Sequence, residues 1–126
     1  MAAHERLICA AADLADGGSG LRFTVTRHGA DQPAFAIRFR GRAYAYLNRC
    51  AHVPIEIDWE HGKFFDHSGL YLICATHGAL YEPESGRCAL GRCDGRGLIP
   101  LRIEERDGHV YLIEEGVEGG REQRSK

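Results

Sequence analysis

Alternation of apolar and polar side chains between residues 21 and 47 is the feature that most constrains the fold of this chain. Leu21, Phe23 and Val25 alternate with polar residues in LRFTVTRH (21–28), and every second residue is apolar in AFAIRFR (34–40) and in RAYAYL (42–47). A period of two is the period of a β-strand that buries one of its faces. The pattern therefore predicts half-buried antiparallel strands, with a hairpin turn at Gly41.

Shorter apolar runs predict further strands on both sides of this block. Residues 71–73, 98–103 and 110–113 have strand-like composition. At the N-terminus we predict a strand over 6–10, followed by a short helical turn that ends at Gly17-Gly18. The predicted fold class is all-β and antiparallel.

Length and charge narrow the possible functions of the chain. Its 126 residues predict a single domain over 1–115, and the charged, aromatic-free residues 116–126 predict a flexible tail. Sixteen basic and eighteen acidic residues leave a net charge of −2 without a basic stripe, which argues against nucleic-acid binding. No apolar run approaches the roughly 20 residues that span a bilayer. We expect a cytoplasmic location, since Glu5 and Arg6 interrupt any secretory signal. We also expect a monomer.

The five cysteines do not indicate a disulfide framework. Their number is odd, and cytosolic thiols are more often metal ligands, catalytic groups or small buried side chains. Cys50, His52, Cys74 and His77 form the pattern C-x-H-x21-C-x2-H. A catalytic Cys–His pair would leave the second pair without a use. Zinc sites usually group cysteines apart from histidines, whereas a binuclear centre explains why each loop carries one of each.

At this point the sequence resembles the Rieske family. Rieske centres are [2Fe-2S] clusters in which two histidines replace two cysteines on one iron. The resemblance extends from the strand before Cys50 through Gly78 and Gly86-Arg87-Cys88 to Gly97-Leu98-Ile99-Pro100. It implies that Cys50, His52, Cys74 and His77 bind the cluster. It also implies an antiparallel β base domain with a small cluster-binding subdomain inserted at about residues 49–87.

Four neighbouring positions carry information about potential and compartment. Membrane-complex members of the family have a disulfide between the ligand loops, and here the corresponding residues are Ile55 and Thr76. High-potential members have a serine that donates to a sulfide, and here that residue is Ala79. Tyr81 matches a family tyrosine that donates to a cysteine sulfur. The resemblance thus implies a disulfide-free site of low potential for a Rieske centre.

The implied function is one-electron transfer by a ferredoxin, with a reductase and an oxygenase as partners, rather than catalysis. A small subunit of an oxidoreductase, similar to that of nitrite reductase, and a zinc-binding structural module are the alternatives.

Several residues near the motif allow more than one interpretation. Cys88 and Cys93 are interpreted as small buried thiols, with a reactive or disulfide-forming pair or metal ligation as alternatives. Cys9 is expected in the core. Trp59, Phe64 and Phe65 are interpreted as a satellite core rather than an exposed docking patch. Two further histidines of this segment are interpreted as solvated side chains, His61 and His67.

Overall fold

The computed structural model describes residues 3–27, 29–50, 56–58, 62–74, 78–91 and 96–115. Its elements are β1 (Ala3–Ala10), a 3₁₀ turn (Ala11–Asp13), β2 (Leu21–Arg27), β3 (Ala30–Phe39), β4 (Arg42–Leu47), β5 (Leu72–Ile73), β6 (Leu80–Tyr81), β7 (Cys88–Leu90), β8 (Pro100–Leu101), β9 (Ile103–Arg106) and β10 (His109–Glu115). These strands form three sheets, ordered β1-β10-β9, β2-β3-β4-β8 and β5-β6-β7. Every pairing between them is antiparallel, which confirms the predicted fold class.

The predicted hairpin lies between β3 and β4. Phe39 pairs with Arg42, so that Arg40 and Gly41 alone form the turn, and their φ angles are 51° and 83°. Two successive positive φ angles are typical of the type I′ turn, whose twist matches that of the strands it joins. The Asp16 carboxylate accepts hydrogen bonds from both turn amides, at 2.7 and 2.8 Å.

Strand β3 is buried on both faces, and here the prediction of half-buried strands is wrong. Ala34, Phe35, Ala36 and Ile37 are all 0% exposed. The phenylalanine and isoleucine face a core shared with the third sheet, whereas the alanines face cores shared with β1 and β10. Alanine side chains are short, which allows the second layer to approach the strand closely.

The segment predicted as one strand over 98–103 divides between two sheets. β8 pairs with β4 and β9 pairs with β10, and the chain passes between them at Arg102, whose carbonyl accepts a hydrogen bond from Ile113 N at 2.9 Å. The other predicted strands are confirmed within one or a few residues of their limits. The predicted N-terminal helical turn is a 3₁₀ turn, and it ends at Asp13 rather than at the glycine pair.

The base, formed by the first two sheets, packs against the region of the third sheet through aromatic side chains. The rings of Phe35 and Phe64 stack with centroids 4.0 Å apart, and the Tyr46 hydroxyl donates to the Pro83 carbonyl at 2.7 Å. The limits of the domain and of its inserted subdomain stay predictions, and the tail at 116–126 lies outside the described residues. Within the described ranges, the chain contains no helix long and apolar enough to cross a membrane.

Candidate metal centre

Two of the four predicted ligands, Cys50 and Cys74, lie in one buried cluster of side chains. Cys50 comes three residues after β4, Cys74 directly follows β5, and their exposed fractions are 2% and 0%. Both are thiols rather than half-cystines, and both belong to the core between the base and the third sheet. The fold therefore brings together two cysteines that are 24 positions apart in the sequence. The other two predicted ligands, His52 and His77, lie outside the described residues.

The loop that begins at Cys74 returns to its starting point through backbone hydrogen bonds. Cys74 N donates to the Ala79 carbonyl at 2.9 Å, and Gly78 N donates to the Cys74 carbonyl at 2.8 Å. The φ of Gly78 is +71°, a conformation that glycine adopts without steric cost. Ala79 is buried and begins the return into β6. This arrangement holds the backbone of Cys74 against Ala79. We refer to residues 74–79 as the second ligand loop.

The segment that leads to Cys50 is held by Asn48, a buried polar residue with an exposed fraction of 1%. Its backbone amide donates to the Pro33 carbonyl at 2.9 Å, and its side-chain oxygen accepts a hydrogen bond from Ile57 N at 2.8 Å. Its side-chain nitrogen donates to Asp58 Oδ1 at 3.2 Å. Each side-chain group of Asn48 thus has a partner, as burial requires.

Asp58 extends this network to the base sheet. Its second oxygen accepts a hydrogen bond from Gly62 N at 3.0 Å and lies 3.7 Å from the Arg22 guanidinium, which also pairs with Glu56. No pattern in the sequence predicts these roles for Asn48, Asp58 and Arg22. Their separation along the chain leaves no periodic signal; an asparagine just before the ligand pattern was the sole indication.

Tyr81 places a hydroxyl group next to one of the two cysteines. It is fully buried, and its oxygen lies 3.5 Å from Cys50 Sγ. A thiolate can only accept in this contact, and the hydroxyl is then the donor. Ala79, at the position of the family serine, has no side-chain donor. The contact of Tyr81 with Cys50 agrees with the role expected of this tyrosine from the sequence.

Tyr46 supports the site from the base sheet. Burial raises the pKa of its hydroxyl well above the usual value, so the group stays a neutral donor to Pro83. Gly86 packs against the same ring: a Cβ at residue 86 would lie 2.7 Å from the ring carbon Cε1. Close packing here fixes the chain between β6 and β7.

Cys88 differs from its sequence-based interpretation. In the structure, Cys88 is disulfide-bonded and lies half-buried beside the core between the base and the third sheet. The interpretation as a small buried thiol is therefore wrong. Cys93 lies outside the described residues. Cys9, by contrast, is a core thiol as expected, and burial raises its pKa.

The aromatic residues of the first loop are largely as predicted. Phe64 and Phe65 are buried rather than exposed, as predicted, but they belong to the core between the base and the third sheet and not to a separate satellite core. Trp59 and His61 lie outside the described residues. His67 is exposed. Among the residues that the structure describes, no group of three or more histidine, cysteine or acidic side chains is placed to hold a metal ion.

Comparison with known protein families identifies the family of this chain. The model of the Rieske [2Fe-2S] domain family matches residues 4–103. The chain belongs to the Rieske family. A Rieske domain binds a [2Fe-2S] cluster, and the match includes both described cysteines and both histidines of the motif. No curated protein matches the chain as a relative.

Solved structures share the Rieske fold with this chain. One is a chain from the complex of reduced oxygenase and oxidised ferredoxin in carbazole 1,9a-dioxygenase, 27% identical with a TM-score of 0.66, and 90% of this chain and 97% of that one are covered. The ferredoxin of carbazole 1,9a-dioxygenase from Nocardioides aromaticivorans IC177 is 15% identical, with a TM-score of 0.64 and coverage of 86% and 95%. A quaternary ammonium Rieske monooxygenase is 20% identical, with a TM-score of 0.63, but only 30% of that chain is covered.

Proposed function

We propose that this Rieske domain is a cytoplasmic one-electron carrier that passes electrons from a reductase to an oxygenase. The observation that carries the proposal is the burial of Cys50 and Cys74 in one core, with the Tyr81 hydroxyl beside Cys50. Coverage supports a carrier rather than a catalytic chain. The protein corresponds to 97% of a chain from a complex of oxygenase and ferredoxin, but to 30% of a monooxygenase chain.

The proposed ligands are Cys50, His52, Cys74 and His77. The two thiolates would bind one iron and the two imidazoles the other, as in other Rieske centres. When bound, the cluster takes up and releases one electron. The described side chains fit such a group, because both cysteines are thiols that lie among apolar residues. Their surroundings exclude water from the sulfur side.

The carrier assignment is tested on the purified protein. We expect a brown protein with two irons and two sulfides per chain, and an anisotropic EPR signal after reduction. Cys74→Ser removes one proposed ligand and should abolish the signal. Cys9→Ser is the matched control, because Cys9 is a buried thiol in a different core, and this variant should keep the cluster. A colourless protein with stoichiometric zinc would instead identify a structural zinc module.

Partner choice needs a separate measurement. Reduced protein is mixed with a substrate-bound Rieske oxygenase, and its reoxidation is followed by absorbance. Rapid single-electron transfer to the oxygenase is expected. Reduced protein that stays reduced with every oxygenase, yet co-purifies with a larger oxidoreductase, would favour the subunit alternative.

The potential of the centre should lie in the lower part of the Rieske range, which runs from about −150 to +300 mV. Ala79 is the reason, because it supplies no side-chain hydrogen bond that would stabilise the reduced, more negative state. Ala79→Ser should raise the potential by about 40 mV if the added hydrogen bond contributes about 1 kcal/mol. Ala89→Ser makes the same change at an exposed position and should leave the potential unchanged. An unchanged potential in Ala79→Ser would contradict this explanation.

A further inference from the structure

Arg22 is a base residue that contacts two carboxylates in the chain after the first pair of proposed ligands. It lies in β2, its Nη2 atom donates to Glu56 Oε1, and its Nη1 atom lies 3.7 Å from Asp58 Oδ2. A guanidinium is planar and presents separate donors at fixed angles, so one arginine can hold two carboxylates in a set arrangement. We propose that Arg22 is a positioning residue of the [2Fe-2S] centre, which acts through Asp58 rather than as a ligand. This inference rests on the proposed function.

Asp58 is connected to the first sulfur ligand through Asn48. Asn48 Nδ2 donates to Asp58 Oδ1 at 3.2 Å, and Ile57 N donates to Asn48 Oδ1 at 2.8 Å. In the sequence, Cys50 and His52 lie between Asn48 and residues 56–58. The same network therefore fixes the chain before and after these two proposed ligands.

The carboxylate of Asp58 is buried, and its position depends on a cation. Its side chain is 3% exposed, against 25% for the side chain of Arg22. Gly62 N also donates to this carboxylate, at 3.0 Å. A buried carboxylate is costly unless it is paired and hydrogen-bonded, and removal of the cation leaves its charge uncompensated. Without the guanidinium, Asp58 should turn toward water and release the side chain of Asn48.

The contact between Cys50 and Tyr81 depends on where this network holds the chain. Cys50 Sγ lies 3.5 Å from the Tyr81 hydroxyl, and both residues are buried. Cys50 follows β4 of the base, whereas Tyr81 belongs to β6 of the third sheet. A hydrogen bond between two separate sheets keeps its length only if both of its ends are fixed. Arg22 fixes the end at Cys50.

Cys74, the other proposed sulfur ligand, is held by backbone contacts of its own. Its amide donates to the Ala79 carbonyl at 2.9 Å. Gly91 packs against Ala79, since a Cβ at residue 91 would lie 2.8 Å from Ala79 Cα. Substitution of Arg22 should therefore disturb the Cys50 side of the centre and leave the backbone around Cys74 in place.

Two substitutions of Arg22 separate its geometry from its charge. Loss of the visible absorption of the cluster-loaded protein is followed at fixed temperature. Arg22→Met should speed cluster loss by about tenfold, the order of effect expected when a group that orients a metal ligand is removed. Arg22→Lys keeps the charge but has a single nitrogen, so its rate should lie closer to that of Arg22→Met than to that of the natural chain. The natural rate in Arg22→Lys would overturn the proposal.

Arg106→Met is the matched control for the loss of an arginine that binds two carboxylates. Arg106 Nη1 donates to Glu104 Oε1 at 2.8 Å, and Nη2 donates to Glu5 Oε1. These residues belong to the sheet β1-β10-β9, which contains none of the proposed ligands. This variant should lose its cluster at the natural rate. Loss as fast as in Arg22→Met would show a general effect of removing a surface cation and overturn the proposal.

Arg38→Lys controls for stability. The Arg38 side chain is 13% exposed and donates to both oxygens of Glu105, at 3.0 and 2.9 Å. Its replacement should lower the urea midpoint of unfolding at least as much as Arg22→Lys does, without faster cluster loss in the folded protein. If the rate of cluster loss instead follows the urea midpoint across all four variants, Arg22 has a structural role only and the proposal is overturned.

Asp58→Asn tests the route from Arg22 to Cys50. An amide has one oxygen where a carboxylate has two, so the variant cannot accept from both Asn48 and Gly62 as Asp58 does. It should itself lose the cluster about tenfold faster than the natural chain. Arg22→Met should add little in this background, because substitutions within one network are not additive. Two effects that multiply would show another route and overturn the proposal.

The reduction potential is a readout that a loss of stability alone would not change. Because Arg22→Lys keeps the charge, a lower midpoint in an EPR-monitored redox titration would report a weaker hydrogen bond from Tyr81 to Cys50. We expect this lowering in the natural chain and none in the Tyr81→Phe background, where the bond is missing. Equal lowering in both backgrounds, or none in either, would overturn the proposal.

The proposed function and this inference fail in different ways. A protein that binds no iron would refute both. A protein that binds the cluster, but loses it at the same rate in the natural chain and in Arg22→Met, would refute the positioning role alone and leave the electron-carrier function in place.

Discussion

Replacing Tyr81 by phenylalanine removes a single hydroxyl from the surroundings of the proposed centre. That oxygen lies 3.5 Å from Cys50 Sγ, in a site where the tyrosine is fully buried. A donor hydrogen bond to a thiolate is stronger when the cluster carries one more negative charge. The variant should therefore destabilise the reduced state more than the oxidised state and lower the reduction potential.

The magnitude follows from the kind of bond that is lost. A hydrogen bond to a charged acceptor contributes about 1.5–3 kcal/mol. The distance of 3.5 Å from the Tyr81 oxygen to Cys50 Sγ would be long for an oxygen acceptor but is ordinary for a sulfur acceptor. If about 1 kcal/mol of this differs between the two redox states, the shift is about 40 mV, since a tenfold change in a one-electron equilibrium is about 59 mV.

Tyr46→Phe is the matched control for this measurement. Tyr46 is also buried, and its hydroxyl also donates a hydrogen bond, but the acceptor is the Pro83 carbonyl. Tyr46→Phe should lower the unfolding free energy by about 1 kcal/mol, as expected for a neutral hydrogen bond, and Tyr81→Phe by about 1.5–3 kcal/mol, because its acceptor is charged. Only Tyr81→Phe should shift the midpoint in an EPR-monitored redox titration. Equal shifts in the two variants, or no shift in Tyr81→Phe, would refute the reasoning.

Three further predictions concern stability. Gly86→Ala should lower the free energy of unfolding in urea by at least about 1 kcal/mol more than Gly108→Ala does. Both glycines have positive φ, but of the two only Gly86 has another side chain, that of Tyr46, at its Cβ position. Equal losses would contradict this prediction. Asn48→Ala should lower the unfolding free energy by about 2–4 kcal/mol, since Asp58 Oδ1 and the Ile57 amide both lose the hydrogen bond to its side chain; a loss below about 0.5 kcal/mol would argue against the network. Burial raises the Tyr46 pKa, so the folded state keeps its proton where the unfolded state loses it, and stability should fall above about pH 10 by up to about 1.4 kcal/mol per pH unit. Tyr46→Phe should remove this part of the slope, and an unchanged slope would refute its origin in Tyr46.

Much of the base domain was predictable because its signals are local. The alternation over 21–47 predicts β2, β3 and β4, and the hairpin is confirmed at Arg40-Gly41. The double burial of β3 was not predictable from alternation. Alanine is compatible with either a covered or an open face, and only the positions of β1 and β10 show that the alanine face is covered.

The candidate site also has features that were predictable from the sequence and features that were not. The pattern C-x-H-x21-C-x2-H indicates a metal centre because the types of the ligand residues and their spacing are visible in the sequence. The hydrogen bonds of Asn48 and Asp58, and the contact of Gly91 with Ala79, join segments whose separation follows no period. Cys88 was predicted to be a thiol because the number of cysteines is odd and the expected compartment is reducing. Neither observation shows which sulfur atoms lie close together, and the structure has Cys88 disulfide-bonded.

By itself the sequence determined the all-β class, the central hairpin and the residues proposed to bind a cluster, because each depends on residue type and spacing along one segment. Tertiary structure alone decided that Cys50 and Cys74 share one buried core, that the Tyr81 hydroxyl lies beside Cys50, and that Gly91 lies on Ala79. These contacts depend on how three sheets pack, and packing is a property of distances between segments that no local pattern records.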